Sequence, residues 1–232
     1  MNRREFLQFL TAGYMAGLVK PLHGSTRVNY NIKPFGNLRL IHLTDTHAQL
    51  DPMYFREPNY NLGVGKNKNM PPHLVGKKLL DYYSINSDLI KYAYTHLNFN
   101  EHAKVFGKFG GYAYLKTIVD ILRDAANNNS LLLDGGDTWQ GSGLSLLENG
   151  KDMVEASNIL GVDVMTGHWE FTYGEKIFLD NLRNFNGDFV AQNISLTEEA
   201  IFDGMEPIDE SNHFQKPYVI KKINNLRVAV IG

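Results

Sequence analysis

A carboxylate and an imidazole stand two residues apart in Thr44-Asp45-Thr46-His47, directly after an apolar run. In an extended segment, residues two apart project to the same side, so Asp45 and His47 can converge on one cation. Taken alone, the pattern is weak, because a loop carboxylate next to a surface histidine is a common arrangement. It predicts a metal ligand pair only if further ligands lie nearby.

A second carboxylate, Asp137, follows the apolar residues 131–133 through a turn that contains two glycines. Glycine permits tight backbone geometry there. A carboxylate delivered in this way can bridge two metal ions about 3.5–4 Å apart, as binuclear hydrolases require. Asp134 ends the same apolar run, and we interpret it as a residue that bonds backbone or supports the ligands, since Asp137 fills the ligand role.

A third group of polar residues follows residues 162–165 in the stretch Thr166-Gly167-His168-Trp169-Glu170. All three groups have the order strand, turn, then acid or imidazole. The carboxyl ends of the strands are the usual location of sites in open α/β sheets. The sequence therefore predicts that the three groups gather at one edge of a sheet.

The elements that must position these groups alternate along the chain. Apolar runs predict short buried strands, and residues with helical spacing of apolar positions predict helices between them. This alternation is typical of βαβ units and of the α/β class. The predicted strands are 38–44, 131–133, 162–165 and 188–191, and the predicted helices are 112–126, 151–160 and 175–185.

Two segments do not fit this alternation. Residues 51–102 are rich in Asn, Pro and Tyr, and a structureless connection of this length usually carries function or covers a site. Residues 226–232 read as a buried strand. A chain seldom stops at a core strand, so we expect residues 28–232 to be the N-terminal part of a domain that continues, with a C-terminal domain, beyond residue 232.

The composition excludes several classes of protein. The 232 residues contain 23 Lys and Arg against 25 Asp and Glu, which gives a net charge of −2, and 43% of them are hydrophobic. The apolar fraction is too high for a disordered chain. The balanced charge gives no excess of Lys and Arg of the kind that binds the phosphates of nucleic acid. The chain has no cysteine, which excludes disulfides, thiolate metal sites and a cysteine nucleophile.

The N-terminus is predicted to be an export signal, residues 1–27. Arg3 and Arg4 precede Phe6 and Leu7, and this pattern resembles the twin-arginine type, which exports folded protein to the periplasm. The apolar residues 6–19 are too few for a helix that spans a bilayer, so we expect no stable membrane anchor. An amphipathic or disordered arm is the alternative.

Together the three groups resemble the binuclear metallophosphoesterases, and within them the 5′-nucleotidase branch, which shows Asp-x-His, Gly-Asp-x-x-x-Gly-Ser and Gly-Asn-His-Glu-Phe. A longer set of stretches resembles the SoxB family, the periplasmic thiosulfohydrolases of the sulfur-oxidation system. These stretches are His47-Ala48-Gln49-Leu50, Phe55-Arg56-Glu57-Pro58, Pro72-His73-Leu74-Val75-Gly76, Gly107-Lys108-Phe109-Gly110-Gly111, residues 134–142 and residues 166–171.

The resemblance implies a four-layer α/β/β/α sandwich that holds two divalent metal ions, usually manganese. In this family the substrate is a carrier protein with a cysteine-bearing arm, and hydrolysis of the cysteine S-thiosulfonate releases sulfate. By motif, Asp45 and His47 would hold the first ion, Asp137 would bridge both, and His168 would hold the second. Oxygen and imidazole ligands would equally accept zinc or iron.

The resemblance also implies that the catalytic His–Asp pair of the nucleotidases is missing. Trp169 stands where their catalytic His would be, and Thr172 stands where its Asp partner would be. A persulfide leaves as an anion more readily than an alkoxide and needs less help from a proton donor. Trp169 is therefore predicted to shape the pocket or to pack beside the carrier's arm.

Two further residues are candidates for the catalytic site. Asn193 follows the last predicted strand and could line the site, although capping of a turn explains it at least as well. Arg56 could contact an anionic substrate or the carrier, and a local salt bridge explains it equally well.

Three functions remain open at this stage. The first is the metal-dependent release of sulfate from a carrier protein. A 5′-nucleotidase or cyclic-nucleotide phosphoesterase is the second, and a non-catalytic module that binds the carrier is the third. Retention of all four candidate ligands argues against simple loss of function.

Overall fold

The fold is described by a computed structural model, which covers residues 36–54, 56, 58–108 and 110–232. The predicted export signal, residues 1–27, lies outside the described residues. None of the helices in the described part has both the length and the apolar character needed to cross a membrane.

Four parallel strands form the main sheet, in the order β1-β2-β3-β4. Their bounds are Arg39–Leu43 for β1, Ser130–Asp134 for β2, Val164–Met165 for β3 and Asp188–Phe189 for β4. The predicted strands are thus all present, and β3 and β4 are shorter than predicted. Since every strand is parallel to its neighbour, all four carboxyl ends lie at one edge.

Helices connect these strands, and the predicted α/β class is confirmed. The segment between β1 and β2 includes α1 (Gly76–Tyr82), α2 (Asp88–Tyr94) and α3 (Phe99–Phe106) and leads into α4 (Tyr112–Ala125). The later helices are α5 (Gly143–Glu148), α6 (Lys151–Leu160), α7 (Glu175–Asn184) and α8 (Glu198–Phe202). Three of these helices, α4, α6 and α7, match the predicted helices to within one residue at each end.

The strands bury different side chains on their two faces, because successive residues of a strand point to opposite sides. Leu132 and Met165 join the large core beneath the helices. Leu133 and Val164 point the other way and pack with Val219 of a second, two-stranded sheet. The described residues therefore give three layers: helices, the four-stranded sheet and the two-stranded sheet.

The two-stranded sheet is an antiparallel hairpin of β5 (Tyr218–Ile223) and β6 (Leu226–Ile231). The prediction of a strand at residues 226–232 is confirmed, but the prediction that it is buried is wrong for the described chain. Only one face of β6 packs, through Val228 and Val230, whereas Ile231 is 69% exposed. A strand with one covered face alternates between partly buried and exposed side chains, as β6 does.

Residues 52–111, here called the excursion, are not a structureless loop. Besides α1, α2 and α3 they contain a 3-10 turn at Gly65–Asn67, and Tyr92 and Phe99 stack at 5.1 Å in a small core of their own. Helices of seven or eight residues give too few turns for a clear periodic signal, which is why the sequence pattern missed them.

Both ends of the excursion meet the loop that follows β1. The backbone N–H of Tyr112 donates to the carbonyl of Leu50 at 3.0 Å, and the Tyr112 hydroxyl lies 2.9 Å from Oγ1 of Thr46. Gly111 lies so close to Pro52 that a Cβ on the glycine would stand 2.8 Å from the proline ring. The excursion therefore leaves and returns beside Asp45 and His47.

Candidate metal centre

The pairing of β1 with β2 continues past the ends of both strands into their loops. The N–H of Asp45 donates to the carbonyl of Gly136 at 2.9 Å, and the N–H of His47 donates to the carbonyl of Asp137 at 2.9 Å. The two loops are thus held by backbone bonds of the same kind as the sheet. This bonding fixes the chain positions from which the candidate ligands project.

Three of the candidate ligands have left-handed backbone conformations, with φ of 54° at Asp45, 51° at His47 and 55° at Asp137. This region is uncommon for residues other than glycine and persists where the surroundings enforce it, often at functional sites. The sequence-based reason for convergence, an extended segment from Asp45 to His47, is therefore wrong. Tight loop geometry brings these side chains together instead.

Asp45, His47 and Asp137 each offer one ligand atom, and these atoms all lie within 4.8 Å of one another. Nε2 of His47 is 4.0 Å from Oδ1 of Asp45 and 3.3 Å from Oδ2 of Asp137. Two atoms bound at about 2.1 Å to one ion are at most about 4.2 Å apart. Both distances meet this limit.

His168 joins the group from the loop after β3. Its Nδ1 lies 3.5 Å from the same Oδ2 of Asp137 that faces His47. The carboxylate of Asp137 is buried, with 7% of its side chain exposed, whereas the side chains of His47 and His168 are 60% and 63% exposed. The group therefore has a buried acidic centre and two imidazoles open to solvent.

These residues fit a divalent metal ion. Oδ1 of Asp137 is buried and has no hydrogen-bond partner among the described residues, which is costly for a carboxylate oxygen unless a cation compensates it. Oxygen and imidazole nitrogen are ligands that manganese, zinc and iron accept. The arrangement supports a metal site and leaves the identity of the metal open.

Two glycines let the loops approach one another. A Cβ on Gly136 would stand 2.9 Å from the carbonyl oxygen of Thr166 and 3.1 Å from the backbone nitrogen of His168. At Gly141 it would stand 2.7 Å from the carbonyl oxygen of His47. Both glycines have positive φ, so any side chain there would meet strain as well as a clash.

Asp134 bonds the backbone, as its position in the sequence predicts. Its Oδ1 accepts hydrogen bonds from the N–H of Gly136 at 3.0 Å and from the hydroxyl of Thr138 at 2.8 Å. Burial raises the pKa of Asp134 from 3.8 to about 7, and the hydrogen bonds only partly oppose this effect. The residue therefore supports the turn that presents Asp137.

Glu170, which has no predicted role, is the most completely buried acid beside the group. It lies in the 3-10 turn Trp169–Tyr173, and its carboxylate accepts hydrogen bonds from the backbone of both the β2 loop and the β3 loop. An acid between Trp169 and Phe171, in an otherwise apolar setting, was the available signal. A buried acid without a nearby basic residue in sequence indicates such backbone bonding.

Trp169 follows His168 directly, and their rings form an edge contact with centroids 6.1 Å apart. The indole is 51% exposed, so it stands on the open side of the group. The hydroxyl of Thr172 donates to the carbonyl of Trp169 at 2.6 Å, which closes the turn. The position of Trp169 is compatible with its predicted part in shaping the pocket.

The other two predicted catalytic residues have different surroundings. The guanidinium of Arg56 donates to the carbonyls of Tyr92 and Ala93, at 3.4 and 2.6 Å, and thereby ties the start of the excursion to α2. Burial lowers the pKa of Arg56. Asn193 is exposed in the turn after β4. Arg56 therefore supports the excursion through hydrogen bonds to its backbone. The catalytic roles of Arg56 and Asn193 stay predictions.

Comparison with known proteins gives matches among solved structures. No family model matches the chain, and no curated protein sequence matches it. The sulfate thiohydrolase SoxB of Thermus thermophilus, in complex with glycerol, is 32% identical over 86% of this chain, with a TM-score of 0.69.

Two nucleotidase structures also match. The NAD nucleotidase of Haemophilus influenzae is 18% identical over 84% of this chain, with a TM-score of 0.51. The 5′-nucleotidase precursor of Thermus thermophilus is 21% identical over 84% of this chain, with a TM-score of 0.50.

The chain spans about a third of the SoxB structure, 36% of its length, and 28% of each nucleotidase. At identities near 20%, the nucleotidase likeness concerns the fold alone. The described chain therefore has the α/β fold of the metallophosphoesterase and 5′-nucleotidase structures. In the alignment with SoxB, 32% of the residues are also identical.

Proposed function

We propose that the protein is a metal-dependent hydrolase that releases sulfate from a cysteine S-thiosulfonate on a carrier protein during thiosulfate oxidation. The observation that carries this proposal is the cluster of ligand atoms from Asp45, His47 and Asp137, with His168 beside the Asp137 carboxylate. The likeness to SoxB supports the choice of reaction.

In this proposal Asp45 and His47 would hold one divalent ion, His168 would hold another, and Asp137 would serve both. Manganese is the metal that we propose, and zinc and iron fit the same ligands. When bound, such ions would neutralise the anionic sulfonate and provide hydroxide from water.

The reaction requires water and no oxidant. Water adds its oxygen to the terminal, sulfonate sulfur, and the bond between that sulfur and its neighbouring sulfur breaks. Sulfate leaves, the two protons of the water pass to solvent, and the carrier's cysteine keeps a persulfide anion. The side chains of His47 and His168 are exposed to an approaching substrate, and Trp169 stands beside His168. Because the persulfide leaves as a stable anion, the site needs no proton donor at position 169.

The partner in this proposal is a carrier protein that brings its cysteine on an extended arm. The location is the periplasm, reached through the twin-arginine export signal proposed for residues 1–27. Residues 28–232 are then part of the catalytic domain, since the chain spans 36% of the SoxB structure.

A 5′-nucleotidase activity is the second candidate, because two nucleotidases share the fold. Trp169 argues against it, since an alkoxide leaving group gains from the acid that a histidine at this position would supply.

The test compares sulfate release from a thiosulfonate-bearing carrier with phosphate release from AMP, both with the manganese-loaded full-length protein. We expect sulfate and little phosphate. Asp137→Asn should lower sulfate release at least about 100-fold, since even indirect partners of metal ligands affect metal sites 10–100-fold. Asp120→Asn, which removes only a partly exposed ion pair on α4, is the matched control and should leave the rate unchanged.

The other outcomes separate the alternatives. Phosphate release without sulfate release would favour the nucleotidase. A protein that binds the carrier but no manganese would be a binding module. A Trp169→His variant that gained nucleotidase activity and also released sulfate faster would refute the view that loss of histidine suits the sulfur chemistry.

A further inference from the structure

The Glu170 side chain is fully buried, and its two carboxylate oxygens receive four backbone N–H groups. Oε1 accepts from Thr138 at 2.6 Å and from Trp139 at 3.1 Å. Oε2 accepts from Asp137 at 3.2 Å and from His168 at 2.7 Å. A carboxylate offers about four acceptor sites, so these four donors fill its capacity.

The four donors belong to two different loops. Asp137, Thr138 and Trp139 are consecutive, and their N–H groups converge in a concavity of the kind that binds anions. His168 lies in the loop after β3. A single carboxylate thus joins the backbone of the buried acidic candidate ligand, Asp137, to the backbone of a candidate ligand 31 positions later in the sequence.

This bonding explains the unusual backbone at both ligands. Asp137 has a φ of 55°, and His168 has φ and ψ of −135° and −88°, outside the main helical and strand regions. Such conformations persist only where the surroundings hold them. Glu170 supplies charge-assisted hydrogen bonds at both positions, and these are about twice as strong as neutral ones.

We propose that Glu170 is a positioning residue that sets the spacing between Asp137 and His168, so that metal affinity depends on a side chain whose acceptor sites are all occupied by backbone. Nδ1 of His168 lies 3.5 Å from Oδ2 of Asp137, and the bonds to Glu170 hold the backbone of both residues at this spacing. The inference rests on the metal site of the proposed function and is independent of its substrate.

The test is the affinity of the full chain for manganese alone, measured from the loss of the free-ion signal in electron paramagnetic resonance. Glu170→Gln keeps the size of the side chain but replaces one acceptor oxygen by an NH₂ group that faces N–H donors. We expect manganese affinity to fall 10–100-fold, as it does when the outer partners of metal ligands are removed.

Asp163→Asn is the matched control. Asp163 also accepts a backbone bond, from Leu132 at 2.8 Å, together with one from Arg123, but it lies before β3, at the opposite end of the strand from His168. This variant should weaken a partly buried backbone bond and keep wild-type manganese affinity. Circular dichroism at the titration temperature checks that both variants are folded.

Two results would overturn the proposal. One is wild-type manganese affinity in folded Glu170→Gln, and the other is an equal loss of affinity in both variants, which would mean general destabilisation.

If Glu170→Gln does not fold, hydrogen exchange of the metal-free wild type decides. The amides of Asp137, Thr138, Trp139 and His168 should be protected, and exchange as fast as in exposed loops would refute the role. Sulfate release enters none of these measurements.

Discussion

At the scale of single residues, two buried acids beside the candidate metal group have opposite surroundings. Glu170 has four N–H donors, whereas Oδ1 of Asp134 has two donors and its Oδ2 has no partner among the residues that the structure describes. Burial without full compensation favours the neutral form of a carboxyl group. The pKa of Asp134 therefore rises to about 7.

This shift predicts how stability depends on pH in the metal-free protein. The folded-state pKa of about 7 lies above the ordinary value of 3.8, so the contribution of Asp134 is fully present below about pH 4 and is lost as the pH rises through 7. The difference corresponds to roughly 4 kcal/mol. Asp134→Asn should lack this loss, which urea unfolding in EDTA at about pH 4.5 and about pH 7.5 would measure. Parallel pH profiles for the two proteins would contradict the assignment.

Sequence reasoning identified the four candidate ligands because each follows an apolar run, and the chain direction alone places strand ends at a common edge. It missed the role of Glu170, although an acid in an apolar setting was a signal, since three of the four N–H donors to this residue belong to another loop. It also gave the wrong geometry for Asp45 and His47, because left-handed backbone at non-glycine residues leaves no signal in residue types.

At the scale of elements, the serine after Gly141 has a structural explanation. The hydroxyl of Ser142 accepts a hydrogen bond from the N–H of Ser145 at 3.1 Å, which caps the N-terminus of α5. Gly141 itself packs on the backbone of His47. The Gly-Ser pair therefore ends the loop that carries Asp137 and begins the next helix.

Ser142→Ala should lower the free energy of unfolding by about 1 kcal/mol, the usual value for loss of such a cap. It should leave manganese affinity unchanged, since the cap bond of this side chain goes to its own helix start. Thr197→Ala, which removes the equivalent cap of α8, is the control for a helix outside the candidate site. A manganese affinity that fell only in Ser142→Ala would place Ser142 in the site instead.

The bounds of an element are predicted correctly where the sequence contains a residue that terminates such an element. The α6 helix ends at Leu160 and is capped by Gly161, a left-handed glycine of the type that terminates helices, and its bounds were predicted without error. The exposed face of β6 could not be predicted, because the same apolar β-branched residues serve buried and half-covered strands alike.

At the scale of the whole molecule, the candidate ligands come from three loops that are distant in sequence. An ion that joins them would bind the folded chain far more tightly than the unfolded chain. Stability should then depend on manganese concentration.

We expect manganese at about 100 times its dissociation constant to raise the free energy of unfolding by about 2.7 kcal/mol, and EDTA to reverse this gain. Thermal unfolding at several manganese concentrations would measure it, with Asp137→Asn as the variant that should not respond. An equal response in Asp137→Asn would show that manganese binds elsewhere.

The closeness of Leu50, Pro52, Gly111 and Tyr112 means that the excursion has its entrance and exit at one point of the fold. Such an insertion can lengthen, shorten or be exchanged in evolution without displacing the strands, since its two ends are already joined by the rest of the protein. The ligand loops and the excursion can thus diverge independently, and a related chain could carry the same four ligands beside an unrelated excursion.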